Sequence, residues 1–264
     1  MRRSGRLGRA GAEIYYEVTG RGPPVVFAHG LGGNHLSWWQ QVAHFAPCHT
    51  CVVFAHRGFA PSGAFPGKTA PDAYADDLVA LIDELKLEQV ALVAQSMGGW
   101  TCLECALRRP EKVRSLVMAS TSGAIDFNQL QNREIEAWSR QAPDVLADLH
   151  ARGIHPAGGE RMSREQPALA HLYGQISDLA GAAFREEVRA RIREMRDKPP
   201  VLLAGLPMPV LFVTGDEAWV FPSAAGPALA ALAPKGRAVR VPAAGHSVYF
   251  ERAAQFNDII GGIL

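Results

Sequence analysis

Val90-Ala91-Leu92-Val93-Ala94-Gln95-Ser96-Met97-Gly98-Gly99-Trp100 is an apolar run that stops abruptly at a serine, with two glycines just beyond it. This is the sequence form of a nucleophile elbow, in which a strand delivers a serine onto a sharp turn that opens a helix. The turn is tight, so the residues two before and two after the serine must be small. Ala94 and Gly98 satisfy that need, with alanine where glycine is usual at the first position. The geometry lifts the serine oxygen clear of the sheet. It also sets the Met97 N–H at a helix N-terminus, where developing negative charge is stabilised.

Outward from this point, strand-like and helix-like segments alternate. Residues 13–19 alternate weakly and read as a strand, and Arg21-Gly22-Pro23-Pro24 is a turn. Val25-Val26-Phe27-Ala28 is short and continuously apolar, the sign of burial on both faces of a parallel sheet. A helix through Trp38, Trp39, Val42 and Phe45 follows, then a strand over 51–55 and a loop over 61–71. Residues 72–87 carry Leu78, Leu81, Ile82 and Leu85 on one face of an amphipathic helix. The strand 89–94 enters the elbow, the helix 97–109 leaves it, and Pro110 stops that helix. The strand 113–119 comes next. Residues 123–206 then contain no strand-like run, only helical stretches over 128–151, 163–179 and 182–196. Alternation resumes with strands at 209–214 and 237–241 and helices at 224–232 and 253–260. The expected class is α/β, a mostly parallel sheet covered by helices on both faces. Residues 1–122 and 207–264 form its core domain, with a helical cap inserted over 123–206. That cap lies at the carboxyl edge of the sheet, where ligands bind in such folds.

Composition sets ordinary bounds. A chain of 264 residues fits one large α/β domain, or a core domain with an insertion. A hydrophobic content of 48% and a charged content of 20% describe a soluble globular protein. The formal net charge of +1 argues against nucleic acid or an anionic membrane as partner. Arginine is frequent over 185–196, but Glu186, Glu187 and Glu194 are interleaved, as on a solvated helix face. The basic start Met1-Arg2-Arg3-Ser4-Gly5-Arg6 is not followed by the apolar stretch of a secretory signal. No run approaches the ~18 apolar residues of a membrane span, so the expected compartment is the cytoplasm. Cys48/Cys51 and Cys102/Cys105 are two C-x-x-C pairs. They stand far beyond the ~15–20 residue separation of a zinc ribbon, so buried reduced thiols are expected in place of a metal site. No dinucleotide fingerprint follows a first strand, and no cofactor is implied. The oligomeric state is not readable.

Two further loops sit at carboxyl ends of strands. The glycines of His29-Gly30-Leu31-Gly32-Gly33 allow close backbone approach, and the Leu31 N–H can join that of Met97 in an oxyanion hole. Ala244-Gly245-His246-Ser247 offers a histidine able to reach a serine at the sheet edge as its base. The order of serine, acidic loop and histidine is that of an α/β-hydrolase triad.

From about Ile14 to Ile260 the chain resembles the α/β-hydrolase fold with a helical cap. The resemblance rests on the two glycine loops, on His56-Arg57-Gly58-Phe59-Ala60-Pro61-Ser62, on Gln95-Ser96-Met97-Gly98-Gly99 and on Gly215-Asp216-Glu217-Ala218. It implies an eight-stranded-type sheet, Ser96 as nucleophile, His246 as general base, and the Leu31 and Met97 N–H groups as the oxyanion hole. A serine nucleophile counts against the dehalogenase and epoxide hydrolase branches, which use aspartate there. The departures matter. The usual triad aspartate is Ala218, and the aspartate that usually precedes the His56-Arg57-Gly58 motif is Ala55. Losing the acid removes the group that fixes the histidine tautomer and stabilises its cation. Asp216, Glu217 or Asp126 can substitute, the chain can be a disabled variant, or a full triad is not needed. The aromatics Trp38, Trp39, Trp100, Phe127, Trp138 and Trp219 favour a small apolar or aromatic substrate, with core packing as their competing role. Arg57 reads as structural. The expected activity is cofactor-free hydrolysis of a small, largely apolar ester or lactone. Carbon–carbon bond cleavage of a ketone, or ligand binding without turnover, are the alternatives.

Overall fold

The computed structural model describes residues 2–64 and 71–264. Its strands are β1 (Arg2–Arg9), β2 (Ala12–Gly20), β3 (Pro24–Ala28), β4 (Thr50–Phe54), β5 (Gly63–Ala64), β6 (Val90–Gln95), β7 (Val113–Ala119), β8 (Val210–Gly215) and β9 (Gly236–Val241). They form one sheet in the order β1-β2-β4-β3-β6-β7-β8-β9, with β5 pairing β2. Pairing is parallel from β4 to β9 and antiparallel at the β1-β2-β4 end.

The continuous apolar strands follow from coverage on both sides. Val26, Leu92, Leu116 and Phe212 pack into one core layer, and their neighbours Val25, Val93, Val117 and Leu211 pack into the other. Side chains alternate across the sheet, so only two-sided cover makes every position apolar. Helices α2 (Tyr74–Glu84), α3 (Gly98–Arg108) and α8 (Ala225–Ala230) supply the first layer. Helices α1 (Trp39–Phe45) and α10 (Ala253–Gly261) supply the second, with the short α9 (Val248–Glu251).

Between β7 and β8 lie α4 (Arg133–Ala151), α5 (Gly159–Glu165), α6 (Pro167–Asp178) and α7 (Ala182–Glu194). The two ends of this segment meet. Asp126 N–H donates to Lys198 O at 2.9 Å, and Lys198 N–H to Ala124 O at 3.1 Å. The insertion is thus closed at its base. The stretch 163–179, expected as one helix, is two. Pro167 has no N–H to continue α5, and it opens α6 at a position where its fixed φ is favourable. Likewise α4 starts at Arg133 and not at 128, because the Asn132 side chain accepts from the Glu134 and Ile135 N–H groups.

β1 is a strand that the sequence reading lacks. Arg2-Arg3-Ser4-Gly5-Arg6-Leu7-Gly8-Arg9 has no apolar alternation, yet it pairs with β2 from Arg2↔Thr19 to Arg9↔Ala12. Of the loop expected over 61–71, residues 63–64 pair with β2, and 65–70 lie outside the described residues. Cys51, Cys102 and Cys105 are buried thiols, but Cys48 is exposed, past the end of α1. Among the described residues no helix is long and apolar enough to cross a membrane.

Candidate active site

β6 is buried along its whole length up to Gln95. At Ser96 the backbone swings to a φ of +48°, a region L-residues seldom enter and hold only where the surroundings enforce it. Two bonds enforce it here. Ser96 N–H donates to Ala119 O on β7 at 3.0 Å, and Ser96 O accepts from Gly99 N–H at 2.9 Å as α3 begins. Gly98 lies against the end of β3, and a Cβ there would overlap the Ala28 carbonyl oxygen. Ala94 is fully buried, and its small size meets the need expected there.

The loop after β3 closes on the elbow. A Cβ on Gly30 would overlap the Gln95 side-chain oxygen and come within 3.2 Å of Ser96 Cβ. Gly30 O accepts from Gly33 N–H at 3.0 Å and lies 2.8 Å from His29 Nδ1. A carbonyl only accepts, so His29 carries its proton on Nδ1. Its Nε2 then accepts from the His56 N–H at 3.0 Å and from His56 Nδ1 at 2.9 Å. His56 Nε2 in turn faces the Thr101 hydroxyl on α3 at 2.9 Å. Burial pushes the His29 pKa down to about 3 and lowers His56 as well, so both rings are neutral. This chain of bonds fixes the Gly30–Leu31 peptide. In a trans peptide the N–H points opposite to the C=O, so the Leu31 N–H is turned away from the His29 side. Among the described residues, neither the Leu31 N–H nor the Met97 N–H meets an acceptor.

His246 follows β9 on a loop that folds back across the carboxyl edge. Glu217 N–H donates to Ala244 O at 2.9 Å, tying the loop to the end of β8. Beyond it, Ser247 N–H donates to Ala157 O, and the Ser247 hydroxyl to Tyr173 OH at 2.9 Å. Gln41 of α1 donates to Tyr249 O at 2.8 Å, so the loop is also anchored to the helix that follows Gly30 and Leu31. Glu251 accepts from Gly245 N–H at 2.5 Å beneath it. His246 is buried, and that burial lowers its pKa to about 3, with His155 adding to the effect. Its Nδ1, the nitrogen a triad acid holds, is buried and has no partner among the described residues.

The three acids considered as substitutes are committed elsewhere. Asp216 accepts from Arg240 Nε at 2.7 Å, and Arg161 grips both oxygens of Glu217, at 2.6 and 2.8 Å. Asp126 caps a short helical turn through Asn128 N–H at 3.0 Å. Ala218 is buried, and its carbonyl accepts from Trp138 Nε1 at 3.1 Å. Arg57 forms a buried two-bond pair with Asp77 of α2, both contacts at 2.6 Å, which is a structural role.

Met97, the residue after the elbow serine, belongs to a buried apolar cluster shared between core and insertion. Ala55, Phe59, Met97 and Trp100 meet Val188 and Ile192 of α7, with Leu31 and Phe184 packed against them. Of the aromatics weighed from sequence, Trp38 is core, packed on Phe27 and Tyr249, while Trp39 is 48% exposed. Trp100 stays at the site. The sequence reading missed His155, Tyr173 and Ser177. His155 Nε2 lies 3.3 Å from the Ser177 hydroxyl, and all three side chains crowd the face of Gly32. Nothing local marks them, since they reach the site only through the path of the inserted helices. Among the described residues no group of three or more His, Cys, Asp or Glu side chains is arranged for a metal.

The chain and its fold have counterparts among known proteins. A putative carbamate hydrolase, RutD, of Azorhizobium caulinodans is 24% identical over 95% of this chain and 94% of that protein. The 3-oxoadipate enol-lactonase 2 of Acinetobacter baylyi is 30% identical over 74% of this chain and 75% of its own length. Among solved structures, Est816, an N-acyl homoserine lactone degrading enzyme, matches with a TM-score of 0.80 at 23% identity, over 98% of this chain and 100% of that one. A thermophilic esterase from Thermogutta terrifontis matches with a TM-score of 0.76 at 25% identity, over 95% and 92%. The family model for the alpha/beta hydrolase fold matches residues 23–157, from the strand before the Gly30 loop, through the elbow, into the insertion. Sheet order, elbow and family match agree, and the chain belongs to the alpha/beta hydrolase fold family.

Proposed function

We propose that this protein is a serine hydrolase of small, largely apolar esters or lactones, working through an acyl-enzyme on Ser96. The observation that carries the reading is the strained Ser96 backbone beside two backbone N–H groups without acceptors. Ser96 Oγ attacks the substrate carbonyl while neutral His246 takes its proton. The oxyanion rests on the Leu31 and Met97 N–H groups, the latter at the N-terminus of α3. His246 returns the proton to the leaving oxygen, and water then releases the acyl group by the reverse sequence. Residues 123–206 act as the cap that excludes water and supplies the apolar wall. The lactonases and esterase among the relatives support this substrate class.

The unheld Nδ1 of His246 sets the expected rate. Without a carboxylate, the imidazolium formed during attack lacks its stabilising partner, and in serine proteases that loss costs about 10⁴ in turnover. Steady-state hydrolysis of 4-nitrophenyl butyrate tests the reading. Slow turnover that vanishes in Ser96→Ala supports it, and a rate unchanged in that variant refutes it. The same orphaned nitrogen favours one rival reading, an apolar-ligand binder with no turnover. That rival requires ligand-dependent thermal stabilisation without product.

A further inference from the structure

Arg196 follows the end of α7, and its guanidinium carbon lies 5.3 Å from the Trp100 ring centre and 4.8 Å from that of Phe127. This is a cation stacked between two buried rings. Its Nε is buried and, among the described residues, has no hydrogen-bond partner. The indole Nε1 of Trp100, a residue only 6% exposed, is equally without one. Two donors that can only donate are therefore sequestered in one seam with no acceptor among the described residues, an arrangement that is costly unless an acceptor is supplied. Asp126 is the acid that faces Arg196, and it forms no ion pair with it. Its oxygens are taken by Asn128 N–H, Asn128 Nδ2 and Gln129 Nε2. Arg193, the other charged neighbour, is of like sign. Arg57 and Arg161, by contrast, are each closed by a carboxylate with two bonds.

The position of the seam matters as much as its chemistry. Trp100 lies four residues beyond Ser96, in the first turn of α3 after the elbow. Trp100 also belongs to the apolar cluster that contains Met97 and Leu31. We propose that Arg196 and Trp100 form a carboxylate-binding subsite, so that the substrate bears a carboxylate a few carbons from the ester or lactone carbonyl. Arginine is suited to this, because its planar fork matches the two carboxylate oxygens. The inference rests on the hydrolase reading for its chemistry, but its binding element can be tested without turnover.

Two matched esters provide the first arm, 4-nitrophenyl hydrogen glutarate and 4-nitrophenyl butyrate. The wild-type protein should favour the glutarate by about tenfold or more in kcat/KM, the value of one charge-assisted contact. Arg196→Met should reduce that ratio by about tenfold, Arg196→Lys should keep part of it, and Arg193→Met should leave it unchanged. A wild-type ratio near one, or a ratio unaltered in Arg196→Met, overturns the proposal while leaving the hydrolase reading intact. The second arm is a thermal-shift titration of Ser96→Ala with sodium glutarate against sodium chloride of equal ionic strength. Stabilisation by glutarate that disappears in Ser96→Ala/Arg196→Met supports the subsite even if no ester is turned over. Absence of stabilisation, or its persistence without Arg196, overturns it.

Discussion

With its pKa lowered to about 3 by burial, His246 stays neutral wherever ester hydrolysis is normally assayed. A general base must be unprotonated to act, so kcat/KM of the wild-type protein should be flat from about pH 8 down to about pH 6. A histidine near its ordinary value of about 6.5 would show an acid limb across that window. Ala218→Asp places a carboxylate at the position where the resemblance read from the sequence expects the triad acid. Held at Nδ1, His246 should move back towards the ordinary range, and the acid limb should appear in the same variant that gains turnover. The gain should be at least about a hundredfold, a fraction of the ~10⁴ that loss of a triad acid costs in serine proteases. Steady-state pH profiles of both proteins check this. A variant with neither gain nor limb would mean that the acid is not what the site lacks.

At the scale of elements, the site depends on close joints between the sheet edge and the loops above it. Gly98 lets α3 start against β3, and Gly98→Ala should cost about 2 kcal/mol or more, because the added methyl meets the Ala28 carbonyl and not a yielding side chain. Urea unfolding reads this directly, and a loss under about 0.5 kcal/mol would show that the joint has slack. Beneath the histidine loop, burial pushes the Glu251 pKa up to about 7. A group whose folded pKa is raised contributes stability that is present below its unfolded value and lost as pH rises through 7. Glu251→Gln keeps an acceptor for Gly245 N–H and removes the ionisation. Relative to wild type it should be near neutral at about pH 5 and more stable by on the order of 1–2 kcal/mol at about pH 8. Thermal melts at the two pH values decide it, and a variant less stable at the higher one would sink the idea. These joints also explain what could be read in advance. Ser96, the Gly30 loop and the His246 loop are local signals, because glycines beside a strand end state their own geometry. β1 was illegible because its chain, rich in arginine, is made a strand by pairing with β2 and by partners such as Glu17 and Glu13, not by an apolar face of its own. His155, Tyr173 and Ser177 were illegible because only the path of the inserted helices brings them against Gly32. The want of a triad acid was visible as Ala218, but the engagement of Asp216, Glu217 and Asp126 with other partners was not.

Across the whole molecule, three buried histidines and the half-buried His155 are held neutral. Burial lowers His29 and His246 to about 3, His155 to about 4, and His56 in the same direction. Each contributes stability that is full above the unfolded value of about 6.5 and is lost as pH falls towards the folded one, on the order of 2 kcal/mol at pH 5 for His29 and for His246. Several such groups acting together against a net stability of about 5–15 kcal/mol should make the fold acid-sensitive. The urea midpoint should drop steeply between about pH 6.5 and pH 5, and a midpoint constant over that range would contradict the electrostatics described for the site. The claim on which the functional account rests is that Ser96 is an armed nucleophile in an incompletely held triad. Intact-protein mass spectrometry after incubation with a fluorophosphonate tests it most directly. The account predicts a single adduct on Ser96 that forms slowly in the wild-type protein, faster in Ala218→Asp, and never in Ser96→Ala. A wild-type protein that takes up no adduct, or takes it up elsewhere, would contradict it.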